Sequence, residues 1–308
     1  MNSELAITTR QLSKQYGAQY AVRDLDIEIK KNITTGLIGP NGAGKTTLMS
    51  LICGFIKPSR GHVQVLGHNP NAADLKSRVS ILPQDAHFLK SLSVKVQLTM
   101  LAELQGFAKK AARKEALRVL DLVDLIEAQN KLPEQMSHGM LKRCAIAQAL
   151  MGQPELILLD EPTAGLDPGT TDNIKAVIKN LQHKATIIIS SHNLSVIEDL
   201  CQEVVILDQG ALHAHREIDQ IVVKQQALTI KLTDHPNAEQ LAKIKTAEWV
   251  KDIKVGKPGS CVMVVYYDPQ QTDGIEISLL QVLKEMNLGY REFTKGERLQ
   301  EYMTDNFK

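Results

Sequence analysis

At 308 residues the chain is long enough for two domains, and 43% hydrophobic with 23% charged residues is the balance of an ordinary globular protein, which excludes a disordered or fibrous chain. A net charge of +1 gives no global attraction to nucleic acid or to an anionic membrane surface. The four cysteines, Cys53, Cys144, Cys201 and Cys261, fit no zinc or redox spacing and read as reduced thiols.

The first ten residues lack a basic start followed by an apolar core, so no signal peptide is expected. No apolar run reaches the length of a membrane span, so any service to a membrane is expected to be that of a peripheral subunit on its cytoplasmic face. Residues 5 to 35 alternate apolar and polar positions in two short runs around a turn at Gln15-Tyr16-Gly17, which predicts an antiparallel layer. Tyr16 stands ahead of a glycine-rich loop, where an aromatic ring can stack on a purine or simply half-bury at a strand end.

Thr35-Gly36-Leu37-Ile38 reads as the end of a buried strand, and Gly39-Pro40-Asn41-Gly42-Ala43-Gly44-Lys45-Thr46-Thr47 follows it. Gly39, Gly44, Lys45 and Thr46 complete G-x-x-x-x-G-K-[ST], a phosphate-binding P-loop. The glycines let backbone N–H groups turn inward as a nest for anionic oxygens. Lys45 brings a compact charge to the β- and γ-phosphates, and the Thr46 hydroxyl is placed to ligate Mg2+. The apolar run from Thr47 to Ile52 predicts a helix whose N-terminal dipole faces the phosphates. A nucleoside triphosphate site is expected, but many classes use one.

A strand over 63–66 and a short strand over 78–82, stopped by Pro83 with Gln84 just beyond, come next. Residues 93–105 and 109–128 carry apolar side chains at helical spacing and predict a helical insertion, about 85–150. Met136-Ser137-His138-Gly139-Met140 then opens another helix with Ser137 as its N-cap. Leu156-Ile157-Leu158-Leu159-Asp160-Glu161 reads as a buried parallel strand delivering two acids into a crevice. Behind a P-loop, Asp160 suits Mg2+ and Glu161 suits polarising an attacking water. Asp167 follows in a loop, and the strand 186–191 ends at His192, level with the acids on a neighbouring strand.

Taken together these motifs resemble the nucleotide-binding subunit of ATP-binding cassette (ABC) transporters over roughly residues 5 to 215. The resemblance implies a P-loop NTPase cassette, an α/β fold with a RecA-like core, an antiparallel β layer and a helical subdomain. It implies that Gly39 to Thr47 cradle ATP, that Tyr16 stacks on adenine, and that Gln84 touches Mg2+ and senses the membrane partner. Asp160 looks like the metal-side aspartate, Glu161 like the catalytic glutamate, and His192 like the switch histidine at the γ-phosphate. Asp167 falls in the loop that crosses a cassette dimer. Ser137 and Gly139 keep two positions of the usual signature Leu-Ser-Gly-Gly-Gln and are expected to reach a second cassette's nucleotide. His138 replaces a glycine there, at a position where φ > 0 would strain it. Signatures with a bulky residue followed by Gly-Met resemble exporter-type subunits.

That likeness implies an ATPase using ATP and Mg2+, a second copy or paralogous subunit, a separate transmembrane permease, and no direct nucleic acid. A soluble ABC ATPase acting on ribosomes or nucleic acid is a second reading, against which stand one cassette per chain and no long coiled-coil insertion. A GTPase would want Asn-Lys-x-Asp, and Asn130-Lys131-Leu132-Pro133 lacks the aspartate. A non-hydrolysing nucleotide-dependent scaffold is favoured only if His138 spoils the composite site. The cassette is expected to fill 1–220. Residues 221–308 carry no family motif; strands at 227–232, 249–255, 260–267 and 289–294 with helices at 237–245 and 275–286 predict a small α+β ferredoxin-like domain for dimer contact or regulation. Asp252, Asp268 and Asp273 read as turn residues, and 297–307 as a short helix.

Overall fold

The computed structural model describes residues 4–218, 227–256, 261–267, 274–296 and 299. Asp268, Asp273 and most of the final helix expected at 297–307 lie outside the described residues. The chain divides into two compact units, Met1–Arg216 and Glu217–Lys308.

In the first unit, β1 (Leu5–Tyr16) pairs antiparallel with β2 (Gln19–Leu25), β3 (Glu28–Lys30) and β5 (Arg60–Val65), forming the expected outer layer. Beside it lies a six-stranded sheet built on β4 (Thr34–Ile38), β6 (Val79–Leu82), β7 (Leu156–Asp160), β8 (Thr186–Ser190), β9 (Glu203–Asp208) and β10 (Ala211–Glu217), in the order β10-β9-β4-β8-β7-β6. Pairings β4·β8, β4·β9, β6·β7 and β7·β8 are parallel. Every residue of β4, β7 and β8 is buried, as near-continuous Ile/Leu runs require of strands covered on both faces. Their shared direction brings Ile38, Asp160 and Ser190 to one end of the sheet, with Asp160 paired to Ser190.

Helix α1 (Lys45–Ile52) opens two residues before the apolar run that begins at Thr47, because Gly44 supplies the N-cap geometry there. The insertion holds α2 (Val94–Leu104), α3 (Lys109–Leu122) and α4 (His138–Ala149). The third helix stops at Leu122 and not at 128: Asp124 adopts φ +54°, which no helix can propagate, and Ile126–Ala128 make a separate 3-10 turn. Helices α5 (Pro168–Lys179) and α6 (Leu194–Leu200) complete the unit.

The second unit runs β11 (Ala227–Leu232), α7 (Ala238–Lys245), β12 (Val250–Val255), β13 (Val262–Tyr267), α8 (Ile275–Glu285) and β14 (Tyr290–Lys295). Its antiparallel sheet has the order β12-β13-β11-β14, with the first and third strands central, which is the ferredoxin-like arrangement. Leu228, Ile230, Met263, Val265, Leu279 and Leu283 form its core. Among the described residues no helix is long and apolar enough to cross a membrane.

Candidate functional site

The loop between β4 and α1 is fixed by close backbone approaches. Gly44 has φ +100°, and a Cβ there would stand 2.2 Å from the Ala21 carbonyl oxygen. Gly39 meets the Leu207 carbonyl oxygen at the same notional distance, 2.2 Å. Only glycine serves at either position. The Lys45 ammonium donates to the carbonyl oxygens of Gly39 (2.7 Å) and Pro40 (3.1 Å), which holds the charge inside the curl of the loop. Burial pulls the Lys45 pKa below its ordinary value, while the nearby Glu161 and Asp160 carboxylates oppose that shift.

The acids sit at the adjoining strand ends. Thr46 Oγ1 donates to Asp160 Oδ2 at 2.9 Å, joining the first turn of α1 to the end of β7. Ser190, fully buried at the end of β8, donates its hydroxyl to Asp160 Oδ1. The same hydroxyl accepts from the Glu161 backbone N–H at 3.0 Å. One serine therefore orients both acids. Glu161 itself has φ +50°, a conformation that costs a non-glycine residue of order 1 kcal/mol and is held only because its surroundings fix it. Its side chain is 6% exposed. His192 N–H reaches Glu161 Oε2 at 3.4 Å. His192 Nε2 lies 3.2 Å from Oε1 but outside hydrogen-bonding geometry, so Oε1 is a buried carboxylate oxygen without a hydrogen-bond partner. Such an atom facing a cavity fits a water that arrives with substrate.

These groups line a cavity of about 440 Å³. It gathers Tyr16, Asn41, Gly42, Ala43, Gly44, Lys45, Thr46, Thr47, Gln84, Asp160, Glu161 and His192. Gly39 and Pro40 are not among its lining residues, and their carbonyls hold Lys45. The Tyr16 ring is 54% exposed at the rim, with the Lys14 ammonium 5.1 Å from its centroid. Gln19, Tyr20 and Ala21 also line the cavity, and Ser190 braces it from beneath; sequence reasoning gave none of these a role. Tyr20, an aromatic four residues past Tyr16, carried a usable signal; a serine ending an apolar strand did not.

Ser137, Gly139 and Asp167 are not among the residues that line this cavity and form a cluster of their own. Ser137 Oγ accepts from Met140 N–H at 3.2 Å and caps α4. A Cβ on Gly139 would lie 3.0 Å from the Thr170 methyl. Thr170 in turn donates its N–H (2.9 Å) and hydroxyl (2.7 Å) to the Asp167 carboxylate, which caps α5. Those two bonds hold the Asp167 carboxyl below its ordinary pKa. His138 occupies the first turn of α4 with ordinary helical backbone, so replacing glycine there imposes no φ > 0 strain.

The donor set suits a hard divalent cation. The Thr46 hydroxyl and Asp160 carboxylate, bonded to each other, and the Gln84 amide, which also lines the cavity, are all oxygen donors, matching the preference of Mg2+ for a carboxylate plus phosphate oxygens and water. Among the described residues no group of three or more His, Cys, Asp or Glu is placed to hold a metal ion.

A family profile described as ABC transporter matches residues 22–164. The bacitracin transport ATP-binding protein of Bacillus licheniformis is 36% identical over 237 residues, covering 75% of this chain and 76% of that protein. The daunorubicin/doxorubicin resistance ATP-binding protein of Streptomyces peucetius is 27% identical over 297 residues, covering 95% and 89%. A solved ATP-binding subunit of an ABC transporter superposes with a TM-score of 0.64 at 26% identity, over 70% of this chain and 91% of that one.

Proposed function

We propose that this chain, which belongs to the ABC transporter family and is one of its ATP-hydrolysing subunits, powers export through a separate membrane permease while bound to the cytoplasmic face of the membrane. The observation that carries the catalytic part is the buried Oε1 of Glu161, which lacks a hydrogen-bond partner, in one cavity with Lys45 and the Thr46–Asp160 pair. In this reading Lys45 leaves the Gly39 and Pro40 carbonyls for the terminal phosphates of ATP. Thr46, Asp160 and Gln84 would hold Mg2+, which when bound would neutralise phosphate charge. Glu161 Oε1 accepts a hydrogen bond from the attacking water and orients it. His192, whose Nε2 is 3.2 Å from that oxygen, is placed to meet the γ-phosphate and to register its loss. Tyr16 receives the adenine.

Ser137, Gly139 and Asp167 stand apart from their own chain's cavity, and this supports a role toward a second cassette, in a homodimer or a pair of related subunits. Two chains would then enclose two nucleotides, closing on ATP and reopening after hydrolysis. The unit from 217 onward is read as an accessory domain for dimer contact or regulation. Transport as the task is supported by a relative named for bacitracin transport, and export as its direction by one named for daunorubicin/doxorubicin resistance.

Glu161→Gln is the test. Loss of the base is expected to lower kcat by about two to four orders of magnitude with ATP affinity retained, and to leave an ATP-dependent dimer on size exclusion. Unchanged turnover would refute the assignment. The same variant, tagged and recovered with ATP from detergent-solubilised host membranes, should bring down a polytopic membrane protein; ribosomes in its place would favour the soluble alternative.

A further inference from the structure

Lys14 precedes Tyr16 on β1 and belongs to no motif named above. Its ammonium stands over the Tyr16 ring, 5.1 Å from the centroid, and donates to the Lys57 carbonyl oxygen at 2.9 Å. Tyr16 lines the nucleotide cavity and Lys14 is not among the lining residues, so the cation engages the ring without being part of the cavity surface. The strand end that carries the ring is bonded to the same segment at two more points. Gln15 N–H donates to Ser59 Oγ at 3.1 Å, and Ser59 N–H donates to the Ser13 carbonyl oxygen at 2.8 Å. Lys57 and Ser59 follow α1, whose first residues are Lys45 and Thr46. The ring is thus tied to the chain that leaves one end of α1, and the phosphate-binding loop enters the other.

We propose that Lys14 is a positioning residue for the nucleotide base: it holds the Tyr16 ring against an anchored ammonium and so presets that ring for stacking. The inference rests on the reading of Tyr16 as the residue that receives adenine. A ring 54% exposed at a strand end turns about its side-chain torsions, and the freedom it gives up on binding is subtracted from affinity. A cation over the ring is attracted by its quadrupole and removes part of that freedom before the base arrives. The Lys57 carbonyl keeps the ammonium in place, since following the ring elsewhere would break that bond. Lys14 therefore matters to a ligand that uses the ring and is indifferent to one that does not.

The test uses the full chain with Lys14→Met and Lys14→Arg, each alone and combined with Tyr16→Ala. Equilibrium binding of a β,γ-imido ATP analogue, and of tripolyphosphate, which has no base, is measured by titration calorimetry with Mg2+ present. Lys14→Met keeps the apolar stem and removes the cation. It is expected to weaken the ATP analogue roughly two- to fivefold, and Lys14→Arg to restore most of the loss. Tripolyphosphate is expected to bind both variants as it binds wild type, and Lys14→Met to add nothing once Tyr16 is alanine. A lysine that only braced the fold, or that drew in phosphates by its charge, would weaken both ligands alike and would do so with or without Tyr16. Equal weakening of both ligands, full additivity with Tyr16→Ala, or a Met variant that binds the ATP analogue like wild type would overturn the proposal. If Lys14→Met melts well below wild type, Lys14→Gln decides. Tyr16→Ala alone is run in parallel: if it binds the ATP analogue like wild type the stacking reading has failed, and if it binds more weakly while the Lys14 variants match wild type only this inference has.

Discussion

Ser190→Ala is the most informative single substitution in the cassette, because its hydroxyl serves two functional groups at once. It donates to Asp160 Oδ1 and accepts from the Glu161 N–H at 3.0 Å, and Ser190 is fully buried. The first bond is to an ionised carboxylate and is worth about 1.5–3 kcal/mol. The second is worth less, since the Glu161 N–H also lies 3.2 Å from the Ser190 carbonyl oxygen and is not left wholly unpaired. Alanine is nearly isosteric and leaves a negligible void. The net loss should be about 2–3 kcal/mol, and at about 2–4 °C per kcal/mol for a domain of this size Tm should fall about 5–10 °C. Activity should fall further than stability suggests. Asp160 would be held by Thr46 alone, and the strained backbone of Glu161 would lose its side-chain anchor, so kcat should drop about 10- to 100-fold. Thermal melts by circular dichroism and a coupled ATPase assay measure both. In an Asp160→Asn background the stability cost of Ser190→Ala should shrink, because the charge-assisted part is already gone. A Tm change under about 2 °C together with turnover within about twofold of wild type would refute this account of the acid pair.

Three further outcomes are expected. Gly44→Ala forces a Cβ to within 2.2 Å of the Ala21 carbonyl at φ +100°, so ATP binding should be lost in equilibrium dialysis even where the chain still folds. Tyr16→Ala should weaken ATP about three- to tenfold in competition with a fluorescent nucleotide while leaving kcat nearly unchanged, since ring stacking contributes equally before and during reaction. Glu115 on α3 accepts from Arg118 Nε and Nη2 and from Gly152 N–H, and the Arg118 bonds hold its carboxyl below the ordinary value. Its folded pKa is depressed, so the stability it supplies is complete above the unfolded value near 4.5 and is lost as pH falls through the folded one. Glu115→Gln should therefore cost about 1–2 kcal/mol in melts at pH 7, and the difference from wild type should close as the melts are taken below pH 4.

What the sequence revealed divides by the range of the physical demand. The P-loop was legible because its requirements are local: a glycine such as Gly44 is needed where backbone meets backbone, and a lysine and hydroxyl must follow it directly. Asp160 and Glu161 were legible because two acids directly after a buried apolar run must emerge where the strand leaves the core, at the open end of the sheet. The βαββαβ unit was legible within a residue or two at most boundaries, since short amphipathic elements with alternating strands leave little choice of period. Ser190 was not legible. Its role depends on the parallel register that sets Asp160 opposite it, and nothing in Thr-Ile-Ile-Ile-Ser announces that partner. Lys14 was hidden for the same reason, being one charge on an alternating strand until the fold brings the Lys57 carbonyl to it. The end of α3 was misplaced because apolar spacing continues past Leu122 while the backbone, at Asp124, does not.

The cluster around Ser137 bears on why a serine and not an aspartate opens α4. Its Oγ is already used as acceptor by Met140 N–H, yet a hydroxyl that accepts still has its own proton to donate. An aspartate would cap the helix as well but would present charge to any phosphate approaching the same N-terminus. Serine closes the helix and keeps a small, uncharged donor free for that approach. Gly139 beside it faces the Thr170 methyl, which a Cβ there would approach to 3.0 Å, and Thr170 is itself fastened to Asp167, so the N-termini of α4 and α5 adjoin. Such a surface is organised before any anion arrives. In the proposed dimer this surface, whose residues are not among those lining the cavity of their own chain, is the one offered to the nucleotide held by the partner's P-loop. His138 fits the same logic: lying in the first helical turn with its ring near Gly165, it adds bulk to this surface without straining the backbone that carries it.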